Sequence, residues 1–198
     1  MPKKPRYIFI LTTGHSGGTL LNLLLGASPA IFAAGESLRL WTLGTIDRQS
    51  EDTRGFWGTA AEALATQGWT AKDLERQRVE EAPMDLWRAW TTIISDQARG
   101  HIIADKSLSF AIIRKICEAN LVDPFFVHLI RDPRGVDYSY RRKYGRNWRT
   151  AVTWQKSHFA IERFLRGKSN KIRLRYEDLC AFPDVQMLSV LRVAGAHF

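Results

Sequence analysis

No apolar run in these 198 residues approaches the roughly 20 that a bilayer-crossing helix requires. A membrane-spanning role is therefore not expected. Cysteine is scarce too: Cys117 and Cys180 are the only two, and neither has the spacing of a metal ligand. That argues against a disulfide framework or a structural zinc site and for reduced thiols in a cytoplasmic protein, with no metal expected. Internal repeats, linkers and low-complexity tracts are missing, so the simplest organisation is a single domain over 1–198. The start, MPKKPRYIFILTTG, is basic like a signal peptide, but its apolar stretch is short and runs straight into a glycine-rich loop. Acids are short in one place. Between His128 and Arg175 stand fourteen Lys and Arg against three Asp and Glu, while the rest of the chain is slightly acidic. Much of that surplus of eleven, in a chain of net charge +9, is expected to be solvated helix surface, and some of it to face a polyanionic ligand.

What is present begins with Tyr7 to Leu21, YIFILTTGHSGGTLL. Its apolar start reads as a buried parallel strand, and its leucine-rich end as a helix. The Gly14-His15-Ser16-Gly17-Gly18-Thr19 turn between them gathers backbone N–H groups at the positive end of a helix dipole, a ready seat for phosphate. A loop of the ATP- or GTP-hydrolysing type requires a lysine that is missing here, which disfavours ordinary nucleoside triphosphate hydrolysis.

Strand-like runs recur at 30–34, 101–104, 124–130 and 171–176, separated by helical stretches at 108–119, 133–144, 148–166 and 183–194. Residues 37–98 read as a helical insertion, with Thr70 as an N-cap. Alternation of this kind predicts an α/β fold with a central parallel sheet flanked by helices, of the kind found in P-loop-containing nucleoside triphosphate hydrolases. Ligands of such sheets bind beyond the strands' carboxyl ends. The glycine loop, Gly35-Glu36, Asp105-Lys106 and Arg131-Asp132 each follow a predicted strand, so all four are expected on one rim. Arg131 offers a bidentate fork and Ser139, eight residues later, a hydroxyl; together they suit a second phosphate. Trp148 and Trp154 read as core or helix surface, and Arg141, Arg142 and Lys143 as a solvated helix face or, alternatively, a contact for an anionic acceptor.

In this order and spacing, the glycine loop, Arg131-Asp132-Pro133-Arg134 with Ser139, and Tyr176-Glu177-Asp178-Leu179 resemble the motifs of sulfotransferases that use 3′-phosphoadenosine 5′-phosphosulfate (PAPS). The similarity extends over about 7–195 and is strongest to the Golgi-type and bacterial branches, which include tyrosylprotein and heparan sulfotransferases. It implies that Gly14, His15, Ser16, Gly17, Gly18, Thr19 and Leu20 hold the 5′-phosphosulfate, and that Arg131 and Ser139 hold the 3′-phosphate. Tyr176 would lie near the nucleotide. Gly35-Glu36-Ser37-Leu38-Arg39 looks like the Gly-Glu-Glu-Thr-Arg of the tyrosylprotein enzymes, which makes Glu36 the general base and Arg39 a substrate contact. Lys106 would stabilise the leaving group. The histidine that the phenol-type enzymes carry after this lysine is replaced here by Ser107.

The implied reaction moves a sulfuryl group to a hydroxyl or amine of a small-molecule, carbohydrate or peptide acceptor. It yields adenosine 3′,5′-bisphosphate (PAP) and needs no metal. Acceptor specificity is expected in 38–97, and neither nucleic acid nor membrane is an expected partner. His15 stands where the family carries Arg or Lys, and Gly18 where it carries a hydroxyl residue. The family's C-terminal nucleotide-closing loop is expected to be missing after Phe198. Competing readings are a P-loop kinase using ATP and magnesium, a basic nucleic-acid-binding protein, and a non-catalytic relative.

Overall fold

A computed structural model describes residues 4–37, 51–69, 83–106, 110–145 and 150–196. Arg39, Thr70, Ser107 and Trp148 lie outside the described residues. Strand β1 (Arg6–Leu11) is the centre of a five-stranded parallel sheet. Its partners are β2 (Ile31–Gly35), β3 (Ile102–Asp105), β4 (Asp123–Ile130) and β5 (Lys171–Arg175), in the order β2-β3-β1-β4-β5. From Tyr7 onward β1 is apolar and buried because both of its faces are covered. Tyr7, Phe9 and Leu11 enter one core cluster, and Ile8 and Ile10 enter the other.

On the first face lie helices α2 (Glu51–Thr66), α3 (Met84–Gln97), α4 (Phe110–Glu118) and, further along the chain, α6 (Thr150–Leu165). Trp87 and Trp90 of α3 are fully buried there beside Ile112, Ile113 and Ile116 of α4. The opposite face holds α1 (Gly18–Gly26), α7 (Tyr176–Ala181) and α8 (Pro183–Val193), through Leu21, Leu25, Leu179, Val190 and Leu191. Helix α5 (Pro133–Tyr144) starts directly after β4, with Pro133 in its first turn and the Asp132 side chain accepting from the Arg134 N–H at 2.8 Å.

The strand order and the two faces follow from right-handed crossovers. From β1 the chain travels over β3 to β2 on the α1 face. From β4 it travels the other way, to β5, on the α6 face. The connections diverge between β1 and β4, and the crevice that opens there is where such sheets bind ligands. Two buried side chains lock the rim: Thr12 Oγ1 donates to the Leu129 carbonyl at 2.8 Å, and Asn22 Nδ2 to the Ala104 carbonyl at 3.0 Å.

Candidate active site

The loop between β1 and α1 turns through two left-handed residues, His15 at φ 60° and Gly17 at φ 91°. Ser16 between them is fully buried, and its hydroxyl lies 2.6 Å from that of Thr13. Alternating backbone handedness of this kind points successive N–H groups toward one concavity. Among the described residues no side chain caps α1, and no acid stands in its first turn to offset the positive end of its dipole. Gly17 is required on two counts. An L side chain resists its φ, and a Cβ there would sit 2.2 Å from the Tyr176 ring.

Arg131 connects the loop to the second motif. Its Nη1 donates to the His15 carbonyl at 2.8 Å and to Ser139 Oγ at 3.3 Å. The guanidinium lies 4.4 Å from the centre of the Tyr176 ring, a cation–π contact that sets its plane. Among the described residues its hydrogen bonds go to a carbonyl and a hydroxyl rather than a carboxylate, so its charge stays available to an anion. Asp132 is engaged elsewhere. Arg134 hydrogen-bonds to its carboxylate and holds its pKa down at about 2, while the Asp132 N–H donates to Glu177 at 2.9 Å. The Asp132–Arg134 pair is a helix cap rather than a ligand site.

Glu36 and Lys106 leave the carboxyl ends of the neighbouring strands β2 and β3. The Lys106 N–H donates to the Gly35 carbonyl at 2.8 Å, and its Nζ meets Glu36 Oε1 at 2.5 Å. Both side chains keep a solvent edge, with exposures of 16% and 21%. Ser37 donates to the buried Asp105 carboxylate and so anchors the segment carrying Glu36.

His15 sits edge-on to Tyr140 and Tyr144, at ring separations of 4.4 and 5.6 Å. Burial, followed by the positive charges of Lys143 and Arg131, lowers its pKa from the ordinary value, which favours the neutral ring.

The structure thus brings together the loop, Arg131, Ser139 and Tyr176, and beside α1 it joins Glu36 to Lys106. Two residues at this rim are not legible in the sequence. Trp154 donates its indole N–H to the Arg131 carbonyl at 3.1 Å, and Tyr140 reaches over the loop so closely that a Cβ on Gly14 would lie 2.6 Å from its hydroxyl.

The sequence matches the model of the sulfotransferase family over residues 5–198. The chain belongs to the sulfotransferase family. It is accordingly an enzyme of sulfuryl transfer from PAPS. Among solved structures it is similar to the sulfotransferase domain from the curacin biosynthetic pathway, with 24% identity, 99% of this chain and 76% of that one covered, and a TM-score of 0.67. A sulfotransferase domain from the Synechococcus PCC 7002 olefin synthase shows 23% identity, coverage of 99% and 75%, and a TM-score of 0.62. A sulfotransferase from Mycobacterium tuberculosis H37Rv shows 15% identity, coverage of 98% and 68%, and a TM-score of 0.56. At these identities the likeness is one of fold. No curated protein matches the sequence significantly.

Among the described residues no helix is long and apolar enough to cross a membrane, and no group of three or more His, Cys, Asp or Glu could hold a metal ion.

Proposed function

We propose that this sulfotransferase grips PAPS at both phosphate ends and delivers its sulfuryl group to an acceptor hydroxyl, with Glu36 as general base and Lys106 at the leaving group. The observation that carries this reading is the Arg131 guanidinium. It is hydrogen-bonded at once to the His15 carbonyl of the loop and to Ser139. Two anion-binding segments more than a hundred residues apart in sequence thereby become one seat.

In this reading the N–H groups of Gly17, Gly18, Thr19 and Leu20 hold the 5′-phosphate at the positive end of α1, while the Ser16 N–H closes the turn onto the Thr13 carbonyl at 3.2 Å and its hydroxyl faces the same loop. Arg131 and Ser139 hold the 3′-phosphate, and the Tyr176 ring packs by the nucleoside. Gly14 keeps the loop close to Tyr140, and His15 offers one neutral N–H donor. Lys106 stabilises the charge that grows on the bridging oxygen as the S–O bond breaks. A donor in that position is worth about 10²–10³ in rate. Glu36 takes the acceptor proton, a role worth about 10²–10⁴. Its contact with Lys106 gives a reason for the pairing: an anion entering beside Lys106 competes with the carboxylate for the ammonium. Arg39 is proposed as an acceptor contact, an amine is the alternative acceptor group, and the charge of the loop, Lys106 and Arg131 makes a metal unnecessary. The free cysteines fit a reducing, cytoplasmic setting.

Two substitutions test the assignment by separating binding from turnover. Arg131→Ala should raise the Kd for PAP at least a hundredfold. Glu36→Gln should leave that Kd within a few-fold while lowering kcat about 10²–10⁴. Full transfer activity in Glu36→Gln would remove the glutamate from its role.

A further inference from the structure

The peptide group that joins Arg131 to Asp132 is held at both of its ends. It stands where β4 gives way to α5. The helical bonding of α5 begins one carbonyl later, with the Asp132 C=O accepting from the Val136 N–H at 3.1 Å. The Arg131 carbonyl and the Asp132 N–H therefore fall outside the helix ladder and need other partners. Side chains from opposite faces of the sheet supply them. From α6, Trp154 Nε1 donates to the Arg131 carbonyl at 3.1 Å; from α7, Glu177 Oε1 accepts from the Asp132 N–H at 2.9 Å.

Both partners are themselves braced. The Trp154 ring lies 4.6 Å from that of His158, whose Nδ1 is 2.9 Å from Nε2 of His128 on β4. Glu177 stands in the first turn of α7, with its second carboxylate oxygen 3.9 Å from Arg175 Nε.

What this clamp controls is the direction of Arg131. A peptide unit is planar, so fixing its C=O and its N–H fixes the rotation between that plane and the Arg131 Cα, and with it the line along which the side chain leaves. The side chain then runs back along the start of α5. It passes so close to Gly135 that a Cβ there would stand 3.0 Å from Arg131 Nε, and it reaches Ser139 Oγ at 3.3 Å. A small turn of the peptide plane, carried to the far end of so long a side chain, moves the guanidinium off the line of a directional anion contact.

We propose that Trp154 and Glu177 are positioning residues for the nucleotide grip: together they set the peptide from which Arg131 reaches the 3′-phosphate, and so govern the preference for a 3′-phosphorylated nucleotide. The inference rests on the PAPS reading and adds to it two residues that act through Arg131.

The test is the ratio of affinities for PAP and adenosine 5′-monophosphate, read by calorimetry on the full chain, because a residue that only supports the fold weakens both nucleotides alike. Trp154→Phe keeps a ring against His158 and removes the N–H, and Glu177→Ala removes the acceptor. Each should lower the preference for PAP at least fivefold while leaving the Kd for the monophosphate within twofold. Glu177→Gln, whose amide oxygen still accepts the Asp132 N–H, should keep the ratio within twofold of the unaltered chain. In an Arg131→Ala background neither change should reduce the ratio further, since the side chain they act through is gone. Should Trp154→Phe fail to fold, the Glu177→Ala and Glu177→Gln pair carries the comparison. An unchanged ratio in a folded Trp154→Phe or Glu177→Ala overturns the inference. So does equal weakening of both nucleotides, or a further loss on top of Arg131→Ala. An unaltered chain with no preference for PAP would instead overturn the reading beneath it.

Discussion

Gly17 shows how much a single position can decide. Alanine there meets both a left-handed φ of 91° and the Tyr176 ring, so the loop must open or the tyrosine must swing away from Arg131. Gly17→Ala should therefore weaken PAP binding at least tenfold and lower the melting temperature. Calorimetric titration and thermal denaturation check the two effects separately. On the role proposed for Lys106, Lys106→Ala acts on the chemical step. It should reduce kcat about 10²–10³ with little change in PAP affinity, as read from steady-state kinetics and equilibrium binding. At this scale the sequence exposes residues whose place follows from a strand end: Glu36, Lys106 and Arg131 each sit one residue beyond a strand, where rim residues belong. Tyr140 and Trp154 are hidden from it. Each lies inside a helix, where spacing distinguishes faces but not the loop or carbonyl a face will meet. His15 is legible as a loop residue, but its lowered pKa is not, because burial and the approach of Lys143 and Arg131 arise only once the chain has folded.

At the scale of elements, α6 rests on β4 partly through a pair of buried histidines. His128 Nε2 lies 2.9 Å from His158 Nδ1, and the Trp154 ring is 4.6 Å from the His158 ring. Burial first, then neighbouring positive charge that includes Arg173, lowers the His128 pKa to about 3, while burial lowers that of His158 to about 4 despite the opposing effect of Glu162. Unfolding returns both rings to the ordinary value of about 6.5, so the unfolded chain binds more protons than the folded one between there and about pH 4. Stability should be complete above about pH 6.5 and fall steadily on acidification through that window. Melting curves between pH 7.5 and pH 5 should show the decline, and the double variant His128→Val, His158→Phe should flatten it. Undiminished pH dependence in the double variant would assign the acid sensitivity to other groups. Element order itself is largely readable from the sequence, because alternating apolar strands and amphipathic helices carry distinct periods. Helix α7 is the exception: six residues between a strand and Pro183 are too few to show a helical period. Within 37–98, the structure divides the described part into α2 and α3, and the buried pair Trp87 and Trp90 fixes α3 in the core.

Across the whole molecule, the strand order β2-β3-β1-β4-β5 turns four separate strand ends into one rim, and no local pattern in the sequence encodes that order. It follows from the right-handed crossovers and from which face each helix can cover. The basic segment from His128 to Arg175 resolves in the same way. Its three acids are paired within it, Asp132 with Arg134, Asp137 with Arg141 and Glu162 with Arg173, whereas Arg131 is turned to the loop. In the proposed reading, a charge surplus that could suggest nucleic acid is partly helix surface and partly a seat for one small anion. PAP should raise the melting temperature, and ATP with magnesium should not, because the loop lacks the lysine that reaches the β- and γ-phosphates.

The central claim is a grip on both ends of one nucleotide, and comparing PAP with adenosine 5′-monophosphate by calorimetry tests it most directly. The two ligands differ only in the 3′-phosphate. The account predicts that PAP binds the unaltered chain at least a hundredfold more tightly and that Arg131→Ala erases most of the difference. Equal affinity for the two nucleotides, or a preference for PAP that survives the loss of Arg131, would contradict it.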